Sequence, residues 1–309
     1  MVLQHLWSYV RGTVVFLLHT FNTVLWAIPL LAVAVFKLLI PNDGWRRFID
    51  RILNRIANNW VWCNNVTMAL SRKTRWDVRG LDSLIPDQWY LILANHQSWL
   101  DILVLQRVFY RRIPFLKFFL KKELIWMPVL GLAWWALDYP FMKRYSRAYL
   151  EKHPHLAGRD LEITRRACEK FQRIPVSIIN FVEGTRFTIA KHRRQESPFD
   201  HLLKPKAGGI ALVLATMGER LHRVLDVTIA YPKGTKGFWA YLCGKVEEVR
   251  VRVDCLPVGK ELLGDYFHDL EFRERFQEWV NLLWTEKDQR LEIMLDPSRA
   301  LPEKLAPQG

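Results

Sequence analysis

Short apolar runs alternate with helical stretches over most of this chain, and this alternation restricts the fold more than any other feature. The runs with the length and composition of buried strands are Trp76–Val78, Tyr90–Ala94, Val176–Val182, Asp226–Tyr231, Trp239–Leu242 and Val249–Val253. The helical stretches are Trp99–Phe109, Pro128–Leu137, Asp160–Phe171 and Pro205–Met217. Since strands that alternate with helices pair mostly in parallel, we predict an α/β fold with a largely parallel mixed sheet flanked by helices.

An uncharged segment precedes this pattern and predicts a membrane anchor. Residues 12–36 carry no charged side chain. Roughly 25 residues at about 1.5 Å each would cross a hydrocarbon core of about 30 Å. Three residues weaken the case for a simple span: His19, Asn22 and Pro29. Both a spanning helix and a half-inserted helix therefore stay open.

Basic residues are distributed unevenly around the uncharged segment. Only Arg11 precedes it, whereas several basic residues follow within a short distance: Lys37, Arg46, Arg47, Arg51 and Arg55. Cytoplasmic flanks of membrane segments carry the excess of Lys and Arg. We therefore expect the bulk of the protein on the cytoplasmic side of an inner membrane.

A second helical segment follows over Trp45–Leu70. Its apolar residues recur at three- and four-residue steps, namely Ile49, Ile52, Leu53, Ile56 and Trp60. This spacing indicates an amphipathic helix, which packs either on the membrane surface or on the core. We divide the chain into an anchor with this helix (1–70), an α/β domain (71–297) and a disordered tail (298–309). Within the domain, Lys191–Pro198 is expected to be an exposed polar loop, and Glu271–Leu295 a long helix that serves as lid or brace.

The charge and the cysteines limit the function. The 309 residues carry a formal charge of +14, and the sequence pI is about 9.8, which implies an acidic partner such as nucleic acid, an anionic lipid surface or a phosphorylated substrate. Fourteen tryptophans suit a membrane interface, and they suit a large core equally well. The four cysteines have no CxxC spacing, so we expect free thiols in a reducing compartment and no zinc site or redox pair.

A histidine and an aspartate follow the strand that ends at Ala94. His96 comes directly after the strand, and Asp101 lies about one helical turn further on. An imidazole with a carboxylate that orients it is the pattern of a general base. The alternative is structural: Ser98 as N-cap and Asp101 at the third helical position resemble a capping box. Spacing alone leaves both interpretations open.

A second polar turn, Glu183–Arg186, follows another predicted strand. Gly184 lets the backbone approach a ligand closely, and Arg186 offers a planar donor fork suited to a phosphate. The alternative is a tight strand exit with a Glu183–Arg186 ion pair on the surface. Because parallel strands end at one edge of a sheet, this turn and the one at His96 are expected to share a site.

Two further basic segments are candidate anion sites. Lys143 and Arg144 follow an apolar run, where they either hold a phosphate or form a solvated strand end. Lys206 lies at the opening of a predicted helix with Pro205 near its first position, and helix N-termini attract anions. The chain contains no GxGxxG, GxxxxGK[ST] or GxSxG motif and no His or Cys cluster with metal-ligand spacing. A nucleotide-binding loop, a serine hydrolase and a metal site are therefore disfavoured.

Taken in order, these segments resemble the glycerolipid acyltransferase family, which contains the 1-acylglycerol-3-phosphate acyltransferases. Asn95–Asp101 matches its NHxxxxD motif, Glu183–Arg186 matches EGTR, and Phe141–Arg144 is similar to the motif between them. Val227–Tyr231 is a weaker match to the fourth motif, because Asp226 stands where family members often have proline. In these details the chain is similar to the lysocardiolipin-acyltransferase-like branch and its bacterial inner-membrane relatives. The resemblance covers roughly residues 76–257.

The resemblance implies a reaction and its partners. A fatty acyl group would move from acyl-CoA or acyl carrier protein to the free hydroxyl of a lysophospholipid. The preferred acceptor would be 1-acyl-glycerol-3-phosphate, and the product phosphatidic acid. The partners would be membrane lipids, the lysophospholipid and the acyl-CoA donor, with no nucleic acid and no cofactor beyond the thioester co-substrate. His96 would be the catalytic base and Asp101 would orient it.

The resemblance also implies a substrate-binding set. It comprises Asn95, Arg144, Glu183, Gly184, Thr185 and Arg186, with Lys143 and Lys206 as further candidate anion-binding residues. Backbone N–H groups near Asn95 or Gly184 would stabilise the oxyanion. Arg186 and Arg144 would hold the acceptor phosphate, and Glu183 would fix Arg186 or the acceptor glycerol.

Three alternatives remain at this point. One is the same chemistry on another lysolipid or an amino-lipid acceptor, and another is hydrolysis of the thioester. The third is a non-enzymatic basic protein that binds membranes or nucleic acid through its positive charge, and a nucleic-acid binder of this kind would have a strongly salt-dependent affinity.

Overall fold

The computed structural model describes residues 2–71, 74–142, 159–235, 237–296 and 298. The helices in these ranges are α1 (Val2–Leu39), α2 (Asp43–Ser71), α3 (Leu100–Phe109), α4 (Leu130–Ala136), α5 (Arg159–Phe171), α6 (Ile189–Gln195), α7 (Gly208–Met217), α8 (Gly237–Leu242) and α9 (Leu270–Leu295). The strands are β1 (Arg75–Arg79), β2 (Trp89–Ala94), β3 (Leu116–Phe118), β4 (Leu120–Lys121), β5 (Phe141–Met142), β6 (Ser177–Phe181), β7 (Leu221–Ala230) and β8 (Glu248–Pro257). Short 3₁₀ helices cover Lys122–Trp126, Gly218–Arg220 and Lys260–Leu262.

A six-stranded sheet in the order β1-β8-β7-β2-β6-β3 forms the centre of the domain. All neighbouring pairs in it are parallel except β7 and β8, which are antiparallel. A separate parallel ladder joins β4 and β5. The predicted α/β fold with a largely parallel mixed sheet is therefore confirmed. Since β2 lies between β7 and β6, its carboxyl end is flanked by the carboxyl ends of both neighbours.

The central strand β2 supplies side chains to the core on both faces of the sheet. Tyr90, Ile92 and Ala94 pack in a core shared with α1 to α4, whereas Leu91 and Leu93 pack in a second core shared with α5, α7 and α9. This follows from the two-residue period of a strand. A continuous apolar strand is typical of a parallel sheet covered on both sides. Burying each leucine stabilises the fold by roughly 1.5–3 kcal/mol.

Helices α1 and α2 form an antiparallel pair in which α2 is the inner member. The buried residues of α2 recur at a spacing of four residues: Ile49, Leu53, Ala57 and Val61. They belong to the same core as Tyr90 and Ile92. Of the two predicted positions for this helix, the membrane surface and the core, the structure shows the core. On the outer side of α2, the buried Asn22 amide of α1 donates to Asn64 Oδ1 at 2.8 Å.

Helix α1 exposes many apolar side chains and also packs against the domain along much of its length. Its stretch His5–Leu39 is long and apolar enough to cross a bilayer, with a mean hydropathy of 1.9 in its most apolar window. Many of its large apolar side chains are exposed, among them Trp7, Leu17, Phe21, Ile28 and Leu38. The helix also contacts both α4 and α8. These contacts hold α1 against the domain.

Several sequence-based boundaries require correction. The predicted strand at Trp239–Leu242 is wrong: the segment is helix α8, whose Trp239 ring packs on Phe16 at 6.2 Å between centroids. An apolar aromatic run this short fits either structure, and the contact with α1 decides. The predicted loop at Lys191–Pro198 is largely helix α6, which Thr188 caps by accepting from Lys191 N at 3.3 Å. Helix α7 begins at Gly208, so Pro205 lies before it and not at its first position.

The long predicted helix at Glu271–Leu295 corresponds to α9. Asp269 caps it by accepting from Phe272 N at 3.0 Å, as expected for an acidic N-cap. Its buried face joins the second core, so α9 is a brace rather than a lid. The four cysteines are unpaired. Lys143 and Arg144 lie outside the described residues, as does the predicted tail apart from Ser298.

Candidate active site

The two polar turns predicted to share a site lie side by side. Strand β2 pairs in parallel with β6, with Ala94 opposite Phe181, so the chain leaves both strands at the same edge of the sheet. The turns are joined directly, because the backbone N–H of His96 donates to Glu183 Oε1 at 2.8 Å. Phe187 N also donates to the carbonyl of His96 at 2.7 Å. The expected convergence of the two turns is therefore present.

His96 and Asp101 form a hydrogen-bonded pair. Asp101 Oδ2 lies 2.8 Å from His96 Nδ1. An ionised carboxylate only accepts, so Nδ1 carries the proton and Nε2 is left with a lone pair. Nε2 has no hydrogen-bond partner among the described residues. The imidazole stacks on the Phe181 ring with centroids 4.0 Å apart, which fixes its plane. The side chain is 15% exposed, so Nε2 is reachable from the cavity that His96 lines.

The fully buried Asp101 carboxylate accepts four hydrogen bonds. Besides the imidazole, Oδ2 accepts from Gln97 N at 2.6 Å and Ser98 N at 2.8 Å. Oδ1 accepts from the Tyr231 hydroxyl at 2.6 Å. Four donors compensate for the loss of water around a buried charge.

The capping interpretation of this turn is also partly correct. Asp101 reaches back to the N–H of Ser98, as in a capping box, and Ser98 Oγ accepts from Leu100 N at 3.2 Å. Helix α3 nevertheless begins at Leu100, with Trp99 rather than Ser98 in the N-cap position. One carboxylate thus caps the start of the helix and orients the imidazole.

Tyr231 is a member of the site that sequence reasoning missed. It follows directly after β7 and is almost completely buried. Burial, together with the adjacent Asp101 charge, raises the pKa of Tyr231 well above its usual range, so the phenol stays protonated and donates. The available signal was its place at the carboxyl end of a predicted strand, within the weak match to the fourth motif.

Glu183 is a buried crosslink and not a surface ion-pair partner. Its Oε1 accepts from His96 N, and its Oε2 accepts from Leu203 N at 3.0 Å. Burial raises the pKa of Glu183 to about 7; the two backbone hydrogen bonds oppose this shift, and the nearby Asp101 charge adds to it. The expected contact with Arg186 is therefore wrong, since both carboxylate oxygens hold backbone N–H groups.

Asn95 and Gly184 shape the turns. The Asn95 amide pairs with the backbone of β7: Nδ2 donates to Ile229 O at 2.9 Å, and Oδ1 accepts from Ile229 N at 2.8 Å. Gly184 has φ +69°, a conformation that glycine adopts at little cost, and its N–H donates to Phe181 O at 2.8 Å. The Asn95 side chain and the Gly184 N–H are therefore engaged in holding the turns, and oxyanion binding by other backbone N–H groups near Asn95 or Gly184 stays a prediction.

Cationic side chains lie around the second turn. The exposed Arg186 guanidinium stacks over the Trp99 ring, 5.3 Å from its centroid. Lys191, which sequence reasoning placed in a loop, donates through Nζ to Thr185 Oγ1 at 2.7 Å and to Arg186 O at 2.9 Å. Burial and the nearby Arg186 charge lower the pKa of Lys191. Lys121 also lines the cavity of His96.

Of the remaining candidate cations, only Lys206 lies in the described part of the chain. Lys206 is exposed, and its backbone N–H donates to Val182 O at 2.9 Å. It does not line the cavity of His96. Lys143 and Arg144 fall in the range that is not described.

The cavity beside His96 has a volume of about 370 Å³. Its apolar wall consists of Trp99, Ile102, Phe118, Phe119, Leu120, Leu124, Met142, Ile179 and Phe181. Gly184, Thr185 and Arg186 line the same cavity. A base, an apolar wall and a cationic rim in one cavity suit proton transfer on an amphiphilic substrate with an anionic group.

Comparison with known proteins defines the class. A family model described as Acyltransferase matches residues 75–232, just over half of the chain. The chain therefore belongs to this acyltransferase family, and the family predicted from its motifs, that of the glycerolipid acyltransferases, is confirmed.

Individual relatives carry related names. The chain is 21% identical over 215 residues to 1-acyl-sn-glycerol-3-phosphate acyltransferase epsilon of Mus musculus, covering 60% of this chain and 56% of the relative. It is 38% identical over 113 residues to 1-acyl-sn-glycerol-3-phosphate acyltransferase alpha of Homo sapiens, covering 36% of this chain and 35% of the relative. The matches thus span about half or less of the curated relatives.

A solved structure covers nearly the whole chain. The crystal structure of the 1-acyl-sn-glycerophosphate (LPA) acyltransferase PlsC from Thermotoga maritima aligns with a TM-score of 0.54 and 18% sequence identity. The alignment covers 93% of this chain and 97% of that chain. The two proteins therefore share a fold that includes the N-terminal helices.

Proposed function

We propose that this protein is a membrane-bound acyltransferase that moves a fatty acyl group from a thioester carrier, acyl-CoA or acyl carrier protein, to the free hydroxyl of a lysophospholipid. The preferred acceptor is 1-acyl-glycerol-3-phosphate and the product phosphatidic acid. The observation that carries this proposal is the His96–Asp101 pair, whose Nδ1 and Oδ2 atoms are 2.8 Å apart, beside a cavity with a largely apolar wall that Arg186 also lines. The names of the relatives support the choice of acceptor.

The first step is removal of the acceptor proton. The hydroxyl proton passes to His96 Nε2, which has no partner among the described residues. Asp101 holds the proton at Nδ1 and stabilises the imidazolium that forms. Tyr231 and the N–H groups of Gln97 and Ser98 hold the carboxylate in place. General base catalysis of this kind contributes about 10²–10⁴-fold in rate.

The second step is attack on the thioester. The acceptor oxygen bonds to the carbonyl carbon, and a tetrahedral oxyanion forms. The backbone N–H groups of Thr185 and Arg186 donate to no acceptor among the described residues, and both residues line the cavity. We assign oxyanion binding to them, which typically lowers the barrier by about 3–4 kcal/mol for one donor. The C–S bond then breaks, and the leaving thiolate takes the proton from His96 Nε2.

Recognition of the substrate divides between the two parts of the cavity. The apolar wall suits an acyl chain, because transfer of each CH₂ from water contributes about 0.8 kcal/mol. The Arg186 guanidinium forms no ion pair with any described carboxylate. It therefore suits the acceptor phosphate. Lys121 adds a second positive charge at the same cavity. No covalent acyl-enzyme is needed, which accords with the lack of a nucleophile motif.

The arrangement of α1 supports association with one side of a bilayer. Lys245 Nζ lies 4.9 Å from the centre of the Tyr9 ring, and Lys37 forms an ion pair with Asp138. Tyr9 and Lys37 are separated by about 42 Å of helix at 1.5 Å per residue. A helix attached to the domain over this length runs beside it, so we infer a half-inserted anchor whose exposed apolar side chains enter one leaflet. We place the domain on the cytoplasmic side of the inner membrane, in line with the basic residues after α1.

The topology is tested by cysteine labelling in sealed membrane vesicles. In a variant without the four natural cysteines, His5→Cys, at an exposed polar position before the uncharged segment of α1, and Arg193→Cys are introduced one at a time. A membrane-impermeant maleimide should label both from the same side of the membrane. Labelling of the two positions from opposite sides would show that α1 spans the bilayer.

The reaction is tested with the purified full chain, lysophosphatidic acid and a panel of acyl-CoAs. Phosphatidic acid is measured by mass spectrometry and free thiol by a colorimetric reagent. We expect one thiol released for each phosphatidic acid formed, and release only in the presence of acceptor. Thiol release without acceptor would support hydrolysis, and a preference for another lysolipid would replace the proposed acceptor.

The variant that tests the role of the base in this assay is His96→Ala. It should still fold and unfold cooperatively, and it should lose turnover by about 10²–10⁴-fold, the usual contribution of a general base. Full activity in this variant would refute the proposed mechanism.

A further inference from the structure

A second cavity, of about 530 Å³, lies on the other side of β5 from His96. It is bounded by the end of α1, the start of α2, the end of α4, β5 and α5. No described residue lines both cavities. Phe141 faces this cavity, whereas the next residue of the strand, Met142, lines the cavity of His96. The two spaces are therefore neighbours separated by a strand.

The second cavity has a strongly basic lining. Among the described residues, its lining contains five cations and one carboxylate, Asp138; the cations are Lys37, Arg46, Arg166, Lys170 and Arg173. Part of this charge is compensated. Lys37 pairs with Asp50 at 2.6 Å and with Asp138. Lys170 pairs with Asp138 at 3.3 Å, and Arg166 pairs with Glu162 at 2.6 Å. Such a cluster attracts an anion.

Two arginines in this lining keep donors for a ligand. Arg46 is half-buried, and its guanidinium forms no hydrogen bond or ion pair with any described residue. Arg173 lies 3.6 Å from Asp43, whose side chain is 76% exposed, so this pair is weak. A half-buried guanidinium without an acidic partner is costly unless a ligand or water satisfies it, and its planar fork fits the oxygens of a phosphate.

A buried lysine that does not itself line the cavity adds to the positive charge around it. Lys117 is almost completely buried among the same charges, and burial lowers its pKa to about 8. Its Nζ lies 5.0 Å from the centre of the Phe171 ring, which offers a partial compensation for the lost water. An anion bound in the cavity would lie in a region of net positive charge.

The mouth of the cavity faces the membrane-binding surface. Two exposed apolar side chains line the mouth: Leu38, which is 65% exposed, and Trp135, which is 47% exposed. The neighbouring Leu39 is also 65% exposed. Tryptophan and basic residues at the end of an apolar helix are typical of the level of the lipid headgroups. We propose that this cavity binds the phosphate of an anionic phospholipid headgroup from the surrounding bilayer, as a site separate from the cavity of His96.

The same phosphate chemistry has two other sources, inorganic phosphate and the phosphates of CoA. The exposed leucines and Trp135 at the mouth favour the lipid, because a headgroup phosphate arrives with apolar chains attached. Neither free phosphate nor the nucleotide part of CoA would use that apolar surface. The chemistry of the opening therefore selects the lipid over the soluble anions.

Binding is tested on the purified full chain in an uncharged detergent. Calorimetric titration with dihexanoyl phosphatidylglycerol is compared between wild type, Arg46→Gln and Arg47→Gln. Arg47 is the matched control, since it has the same charge, is the next residue of α2, is exposed and lines neither of the two cavities. Loss of one charged hydrogen-bond donor should weaken binding by roughly tenfold or more in Arg46→Gln and leave Arg47→Gln unchanged. Dihexanoyl phosphatidylcholine should bind weakly to all three proteins.

The result that would overturn the proposal is equal binding by Arg46→Gln and Arg47→Gln, because the lipid would then respond only to overall charge. Inorganic phosphate and CoA are titrated in parallel. If either binds more tightly than the lipid and loses affinity only in Arg46→Gln, the site belongs to that anion and the lipid assignment fails. Acyl transfer by Arg46→Gln in short-chain substrates should equal wild type, which verifies folding and separates this test from that of the proposed reaction.

Discussion

Asp101→Asn removes the negative charge beside His96 while nearly preserving the shape of the site. The asparagine oxygen can occupy the position of Oδ2, where it accepts from His96 Nδ1 and from the N–H groups of Gln97 and Ser98. The amide nitrogen then faces the Tyr231 hydroxyl, which rotates to accept. The imidazole should keep its tautomer, so the variant isolates the effect of charge.

The magnitude follows from the separation of the charges in the transition state. His96 becomes an imidazolium when it takes the acceptor proton, and its ring lies in direct contact with the carboxylate, Nδ1 being 2.8 Å from Oδ2. Two unit charges about 4 Å apart at an effective dielectric constant near 20 attract each other by about 4 kcal/mol. The amide dipole retains part of this. At about 1.36 kcal/mol per factor of ten, we expect kcat to fall by about 10²–10³-fold.

The assay is steady-state formation of phosphatidic acid at saturating substrates, with thermal unfolding measured on the same samples. We expect the melting temperature to stay close to that of wild type while kcat falls. A variant with unchanged kcat would refute the reasoning, because the charge of Asp101 would then contribute nothing to the transition state. Loss of folding in Asp101→Asn would likewise refute the claim that the amide keeps a hydrogen-bond partner for each of the four groups that contact Asp101.

Three further variants test other contacts. Tyr231→Phe leaves one oxygen of the buried Asp101 without its donor, so the free energy of unfolding should fall by roughly 1.5–3 kcal/mol, and unchanged urea unfolding would contradict the contact. The pKa of Glu183 rises from 4.5 to about 7 on folding, so the folded state retains a proton that the unfolded state releases. Stability should therefore fall by about 3 kcal/mol between about pH 4.5 and 7, and Glu183→Gln should abolish this fall in urea unfolding measured at pH 5 and 8. Arg186→Ala should raise the KM for the phosphorylated acceptor about tenfold with little change for the donor, whereas the exposed Arg193→Ala should change neither; an effect on the donor alone would disprove the phosphate role.

The sheet was predictable because its strands and helices have distinct periodicities. Tyr90–Ala94 is a short run that is apolar at every position, as in a strand covered on both faces, and polar turn residues follow it. The long helix α9 was predicted to within one residue of its start. The failures are short elements. Trp239–Leu242 becomes a helix because a single turn packs on Phe16 of α1, a contact that no local pattern encodes. Helix α6 was missed because most of its seven residues are polar and none of them is buried.

The two turns of the site were predictable from the sequence, but the hydrogen bonds that connect them to distant residues were not. The motifs identify His96 and Glu183, and parallel strands explain why the two turns meet. The contact of Tyr231 with Asp101 spans 130 residues along the chain and depends on the pairing of β7 with β2. The role of Glu183 depends equally on Leu203, which lies 20 residues away in the chain. Partners of this kind follow from strand order, which single-sequence patterns do not provide.

The two interpretations of the first turn, helix cap and catalytic pair, depend on the same oxygen. Asp101 Oδ2 accepts from Ser98 N at 2.8 Å and from His96 Nδ1 at 2.8 Å. A carboxylate that bonds the backbone of its own turn loses little conformational entropy when it also orients an imidazole, because its position is already fixed. Spacing in the sequence therefore could not separate a structural role from a catalytic one at this turn. The observation that favours the catalytic role is His96 Nε2, which has no partner among the described residues and borders a largely apolar cavity of about 370 Å³.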